Sequence, residues 1–283
     1  MDLVVSVDRR PEKGETIKGN LFTTMPGGKG ANQAVSAARL GAKVNMIGMV
    51  GEDEFGKELK SKLQKENINV DGVESKVELS TGVAVITLAD NDNSIVVISG
   101  ANAAVTPDYI KKYENLIANS DIVLTQLEIP LETVEMAAEI CQKHHIPFVL
   151  NPAPAQDLPD SLLNQVTFLT PNQIEWESIK ANNKEIKKDQ LIVTRGEEGV
   201  IFYVGEQKQS VPAFSVKPVD TTGAGDTFNG AFTYAIAKKE TLHEACVFGS
   251  AAAALSITQT GAQTGMPTKE EIQDFLEEMK ANS

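Results

Sequence analysis

Asp220-Thr221-Thr222-Gly223-Ala224-Gly225-Asp226-Thr227-Phe228-Asn229-Gly230 lies between a strand-like run and a helical pattern that continues to Ala237. Glycines at 223 and 225 let backbone approach a ligand closely, and the first N–H groups of the following helix have no partners within it. With the positive end of the helix dipole, such amides form an anion hole, here Gly223, Ala224 and Gly225. A γ-phosphoryl group held there would meet fixed donors as its charge redistributes during transfer. Asp226 would then stand beside an acceptor hydroxyl and take its proton. The competing reading of Asp226 is a helix cap, a frequent use of aspartate.

Working outward from this turn, apolar runs alternate with helix-period patterns. Helices are expected over 31–40, 54–65, 107–118, 131–144, 172–180, 225–237, 242–257 and 269–280, with strand-like runs at 43–49, 122–125, 148–151, 168–170 and 191–194. That alternation is how an α/β domain with a central, mostly parallel sheet flanked by helices reads. Two regions depart from it. Segments 81–88 and 94–99, joined by Asp90-Asn91-Asp92-Asn93, read as a β-hairpin, as do 200–204 and 207–211 around Gly205-Glu206. With 15–24, the first hairpin would form a small sheet outside the main fold, a natural lid. One domain over 1–283 accommodates all of this, and the acidic stretch 269–280 reads as a solvated terminal helix.

The net charge of −13 repels polyanions, so neither nucleic acid nor an anionic membrane is an expected partner. Cys141 and Cys246 both sit in apolar helical patterns, with no CxxC or Cys/His cluster, which fits a reducing cytoplasm. No apolar run is long enough to span a bilayer and no export signal is legible at the start. His144, His145 and His243 have no nucleophile at a telling spacing and receive no role. There is no G-x-x-x-x-G-K-[ST], and neither glycine-rich turn completes G-x-G-x-x-G, so a phosphate binder here belongs to another class.

A second glycine-rich segment, Gly27-Gly28-Lys29-Gly30-Ala31-Asn32-Gln33-Ala34, joins the first in a specific pair. With these two motifs, and with Gln126-Leu127-Glu128, Thr170-Pro171-Asn172 and Gly261-Ala262-Gln263, the chain resembles the ribokinase (PfkB-type carbohydrate kinase) family over nearly its whole length. The resemblance implies a ribokinase-like fold and a homodimer joined through lid strands. It also implies ATP and D-ribose as substrates, Mg2+ with the ATP, and K+ as a monovalent activator.

Position by position, the resemblance implies Asp226 as catalytic base, and Asp2, Gly28, Lys29, Asn32 and Glu128 around the sugar. Asn172, Thr194, Gly196 and Gly225 would meet the nucleotide, and Glu175 would help place magnesium through water. Asp220 and Thr222, with backbone oxygens of Ser256, Gln259, Gly261 and Gly265, would hold the monovalent cation. Read without the resemblance, Glu128 is a solvated loop carboxylate, and Asn172 with Glu175 is a capping box. The family pattern has a strand reading Gly-Ser-x-Asn ahead of the position of Asp2, whereas the sequence here begins at Met1; the stretch after Lys180 is shorter than the pattern by about one helix.

Two classes of function remain open. One is a sugar kinase acting on ribose, with deoxyribose, another furanose or a nucleoside as alternative acceptors. The other is a sugar or nucleotide sensor that keeps the fold without catalysis. A sensor needs no base, which weighs against it given the intact Asp226 turn. Residues 81–99 contain no aromatic to stack on a nucleobase, which favours a small polar sugar.

Overall fold

The computed structural model describes residues 1–90, 92–182 and 186–281. In chain order the strands are β1 (Asp2–Ser6), β2 (Leu21–Met25), β3 (Asn45–Gly51), β4 (Asn69–Lys76), β5 (Val83–Ala89), β6 (Asp92–Ile98), β7 (Val123–Thr125), β8 (Phe148–Leu150), β9 (Phe168–Leu169), β10 (Ile192–Thr194), β11 (Val200–Val204) and β12 (Gln207–Val211). The α-helices are α1 (Lys29–Arg39), α2 (Glu54–Lys65), α3 (Pro107–Lys111), α4 (Glu114–Ala118), α5 (Leu131–His144), α6 (Asp160–Leu163), α7 (Gln173–Asn182), α8 (Ala224–Ala237), α9 (Leu242–Ser256) and α10 (Lys269–Ala281).

β7, β8 and β9 pair in parallel, and the bridge Leu169–Leu191 carries the sheet on toward β10. β11 and β12 then add antiparallel, so this side of the sheet is mixed. Phe148, Val149 and Leu150 are all fully buried, because helices cover both faces of β8. Phe148 and Leu150 pack with Val134 and Cys141 of α5, while Val149 joins Ile192, Phe202 and Phe232 under α8 and α9. β3 and β4 form a separate parallel pair.

α8 is buried from Asp226 to Ala235. Its approach to α1 depends on Gly230, where a Cβ would sit 2.5 Å from the Cβ of Ser36. Phe232 stacks on Phe228 and meets Phe168 edge-on, with ring centroids 5.8 and 5.5 Å away. Truncating Phe232 to alanine would cost about 3–5 kcal/mol through lost burial and the cavity left behind. This packing fixes the helix that carries the decisive turn.

Several elements differ from the sequence reading. The expected helix 107–118 is broken into α3 and α4 at Lys112 and Tyr113. β4 was not foreseen: its Asn69-Val70-Asp71-Gly72 start mixes polar and turn-forming residues, and partners supply what propensity does not. α10 is half anchored rather than merely solvated, since Ile272 is fully buried and Phe275 meets Phe214 at 5.3 Å.

The small sheet has the order β2-β1-β5-β6. β1 was not read as a strand, yet it lies at the centre, antiparallel to β2 and parallel to β5. Within 15–24 the strand itself is confined to β2, and residues 15–20 are irregular. The β5–β6 hairpin turns through Asp90, whose φ is 55°; Asn91 of the expected turn lies outside the described residues, as does 183–185 in the shortened stretch after Lys180. Directly paired residues share a face. Asp2, Met25 and Ala84 therefore lie on one side, with Leu21, Leu88, Ile95 and Val97, and Phe22 lies on the other.

Candidate active site

The C-terminal ends of β8, β9 and β10 meet the N-termini of α1, α7 and α8, the place where open α/β sheets hold ligands. A cavity of about 220 Å³ opens there. Its walls include Lys29, Asn172, Glu175, Thr194 and the run Gly223 to Asp226. Asp2, Gly28, Asn32, Glu128 and Gly196 do not line it. Asp2, Asn32 and Glu128 lie beyond Lys29 and Asp226, joined to them by hydrogen bonds or by charge. Gly28 adopts φ 94° just before α1, and Gly196 adopts φ 54° in the turn after β10. Asn151, Thr170, Thr221 and Asn229 also line the cavity; Thr170, Thr221 and Asn229 belong to the quoted motifs but carry no expected role, and Asn151 stands outside them at the end of β8.

α8 starts at Gly223, whose φ of 79° is left-handed and whose Cβ would lie 2.8 Å from that of Ala262. Both observations demand glycine. The Ala224 amide already donates to Thr221 O at 3.3 Å, and a Cβ on Gly225 would meet nothing within 4 Å, so the turn faces open space.

Asp226 does not cap its helix, which settles the competing reading against the cap. It is 8% exposed, and its carboxylate is held by α1 instead. Asn32 Nδ2 donates to Oδ2 at 2.9 Å and Gln33 Nε2 to Oδ1 at 3.0 Å. Burial pushes the Asp226 carboxyl above the ordinary aspartate range, while Lys29, Asn32 and Gln33 restrain the rise.

Glu128 is not a solvated loop carboxylate. Its Oε2 accepts from the Lys29 amide at 2.8 Å, and burial raises its pKa against the pull of that bond and of the Lys29 charge. Asp2 is likewise raised, first by burial, with Asp226 adding repulsion. Three carboxylates thus surround one lysine. Such a set accepts hydrogen bonds from a neutral polyol and keeps a free anion away from this side.

Asn172 and Glu175 do form the capping box: Glu175 N donates to Asn172 Oδ1 at 2.8 Å, and Asn172 N to Glu175 Oε2 at 2.7 Å. Thr194 is held beside them by a bridge to Asn172. Among the described residues no cluster of His, Cys, Asp and Glu could hold a metal by itself. A magnesium ion arriving with nucleotide phosphates fits that setting, since it keeps several waters and needs few protein oxygens.

Asp220 ties two loops together, accepting from Thr222 N at 2.9 Å and Gly261 N at 2.8 Å. Burial would raise its pKa, but these bonds outweigh burial and hold it low, so the group stays ionised. Gly265 lies so near Ser256 that a Cβ would sit 2.2 Å from Ser256 O. The Gly261 carbonyl in turn accepts from Gly265 N at 3.4 Å, so Asp220, Gly261, Gly265 and Ser256 lie in one neighbourhood. Gln259 follows Ile257, whose carbonyl accepts from Val219 and Asp220.

Residues 1–269 match the pfkB family carbohydrate kinase pattern, and the chain belongs to that family. It is similar to a ribokinase of Bacillus subtilis, 45% identical over 281 residues that cover 98% of this chain and 96% of that protein. A deoxyribokinase of Salmonella typhi is 36% identical over 292 residues, covering 98% of this chain and 95% of that one. The structure of an Arabidopsis thaliana ribokinase complexed with ribose and ATP superposes with a TM-score of 0.90 at 31% identity, covering 97% and 95% of the two chains. No helix among the described residues is long and apolar enough to cross a membrane.

Proposed function

We propose that this protein transfers the γ-phosphoryl group of ATP to D-ribose, giving ADP and D-ribose 5-phosphate. The observation that carries this reading is Asp226, a buried carboxylate placed in the first turn of α8 between the cavity and the Asp2–Lys29–Glu128 cluster. Asp226 takes the proton of the attacking sugar hydroxyl, a role worth roughly 10²- to 10⁴-fold. The amides of the Gly223–Gly225 turn hold the migrating phosphoryl group, with Gly225 best placed because Ala224 already has a weak partner. Lys29 offsets negative charge from α1.

Asp2, Gly28, Asn32 and Glu128 bind the sugar hydroxyls, and Asn172, Thr194 and Gly196 border the nucleotide. Magnesium comes with ATP and is oriented through water by Glu175; when bound it neutralises phosphate charge. Potassium bound by Asp220, Thr222 and the backbone oxygens of Ser256, Gln259, Gly261 and Gly265 orders the turn without touching substrate. The identity to a ribokinase over nearly the whole chain supports ribose, and the sheet face shared with Asp2 carries no aromatic, Phe22 lying on the other side.

The four-stranded sheet acts as the lid. Leu21, Leu88, Ile95 and Val97, all exposed on its Asp2 face, support a homodimer in which two lids cover one another. Two reduced, buried cysteines and the strongly acidic charge support a cytoplasmic enzyme with no nucleic-acid partner. A coupled ADP assay across ribose, deoxyribose, fructose and adenosine tests the acceptor. ADP release driven by adenosine and not by either pentose would defeat the sugar reading, and ribose binding without ADP formation would favour a sensor.

A further inference from the structure

Gln33 is 1% exposed and does not line the cavity, yet both ends of its amide are engaged. Nε2 donates to Asp226 Oδ1 at 3.0 Å and to Asn151 Oδ1 at 3.1 Å, and Oε1 accepts from Gln126 Nε2 at 2.5 Å. A buried glutamine could in principle face either way. Its direction here is set by a chain of partners ending in an atom with only one role. The Thr170 carbonyl can only accept, and Asn151 Nδ2 donates to it at 3.1 Å. Asn151 must therefore turn Oδ1 toward Gln33, and Gln33 must turn its NH2 toward both Asn151 and Asp226. A flipped Gln33 would aim its oxygen at two oxygens while leaving Gln126 without its acceptor.

The other oxygen of Asp226 also receives a side-chain amide. Asn32 Nδ2 donates to it, and Asn32 Oδ1 accepts from Gln263 Nε2 at 2.9 Å. Each carboxylate oxygen thus receives one amide N–H, and on the Gln33 side its polarity is set by the Thr170 carbonyl.

We propose that Gln33 is a positioning residue for the base: it fixes the rotation of the Asp226 carboxylate, through a polarity set by the Thr170 carbonyl, so that a free lone pair faces the sugar hydroxyl. This rests on the reading of Asp226 as base. Asn32 belongs to the proposed sugar site and touches both sugar and base, whereas Gln33 lies outside the cavity and meets the site through Asp226 and the cavity-lining Asn151. The charged groups facing Asp226 are Asp2 on β1, Lys29 on α1, Glu128 in the loop after β7 and Glu175 on α7. All four survive a change at Gln33, so Gln33→Met isolates the amide at nearly constant volume.

The test is steady-state kinetics of Gln33→Met over pH, in the parent and in the Asp226→Asn background. A lost hydrogen bond to a buried carboxylate makes its ionised form harder to keep, so the acid limb of kcat moves up by about one pH unit. Plateau kcat falls by roughly tenfold from lost orientation, while the KM for ribose stays within about threefold. In the Asp226→Asn background Gln33→Met adds no further loss of rate, because no base is left there to orient. An unmoved acid limb, or an equal loss in both backgrounds, overturns the proposal. Should Gln33→Met fail to fold, Gln126→Met frees the amide's acceptor end without touching Asp226; a smaller upward move of the limb is expected, and none overturns it. If Asp226→Asn itself retained turnover, the base reading would fail; if it collapsed while the Gln33→Met profile stayed put, only the positioning role would fall.

Discussion

Replacing Asp226 with asparagine keeps the shape of the side chain and removes its ability to take a proton. The structure sets two magnitudes for this change. Chemistry should fall by about 10²- to 10⁴-fold in kcat, or roughly 3–5 kcal/mol of transition-state stabilisation at 1.36 kcal/mol per tenfold. Folding should change much less. Both oxygens of Asp226 now receive amide N–H groups, from Asn32 and Gln33, so whichever becomes NH2 in the variant faces a donor. That conflict costs about 1–3 kcal/mol, and the relief of no longer burying a charge offsets part of it. The ribose contacts proposed for Asp2, Gly28 and Glu128 survive. ADP release followed with a coupled assay, beside ribose binding by calorimetry, separates the two effects. Turnover within tenfold of the parent would refute the assignment of the base, and loss of ribose binding with turnover would refute the claim that its role is chemical.

Four further outcomes follow from the same geometry. Because burial raises the Asp226 pKa and only the ionised form accepts a proton, kcat should fall on the acid side at a pH above the usual aspartate range; a flat profile down to about pH 4 would contradict this. Gly223→Ala forces a left-handed residue against Ala262, costing of order 1–3 kcal/mol of stability and lowering kcat more than ribose affinity, which melting curves and kinetics would check. Asp220→Asn, which loses the charge while keeping most of the shape, should abolish any activation by potassium in an ADP assay with and without the ion; a potassium response equal to the parent's would remove Asp220 from that site. Val97→Asp, on the exposed face of the four-stranded sheet, should shift light scattering from dimer to monomer, and a parent protein already monomeric at micromolar concentration would end the dimer proposal.

The turn from Asp220 to Gly230 was legible in sequence because its demands are local. A left-handed Gly223 and amides at a helix start follow from residue type and order. The same holds for the capping box of Asn172 and Glu175 and for the 200–211 hairpin, whose strands run Val200–Val204 and Gln207–Val211 as expected. Motif resemblance brought Glu128 forward, although nothing local marks a loop glutamate as buried.

What sequence left undecided needed partners far along the chain. That Asp226 does not cap its own helix could be seen only from its oxygens meeting α1, 194 residues away. Val4 and Val5 favour a strand, but so short a run at the start of the sequence does not fix one; β1 is defined by pairing with β2 on one side and β5 on the other. Gln33 stood inside a quoted motif with no role, since an amide's polarity is fixed by its neighbours and not by its code. Sequence specifies conformations governed by one residue and its near neighbours; tertiary structure decides which buried charges and amides face each other, because that energy exists only once distant segments have excluded water between them.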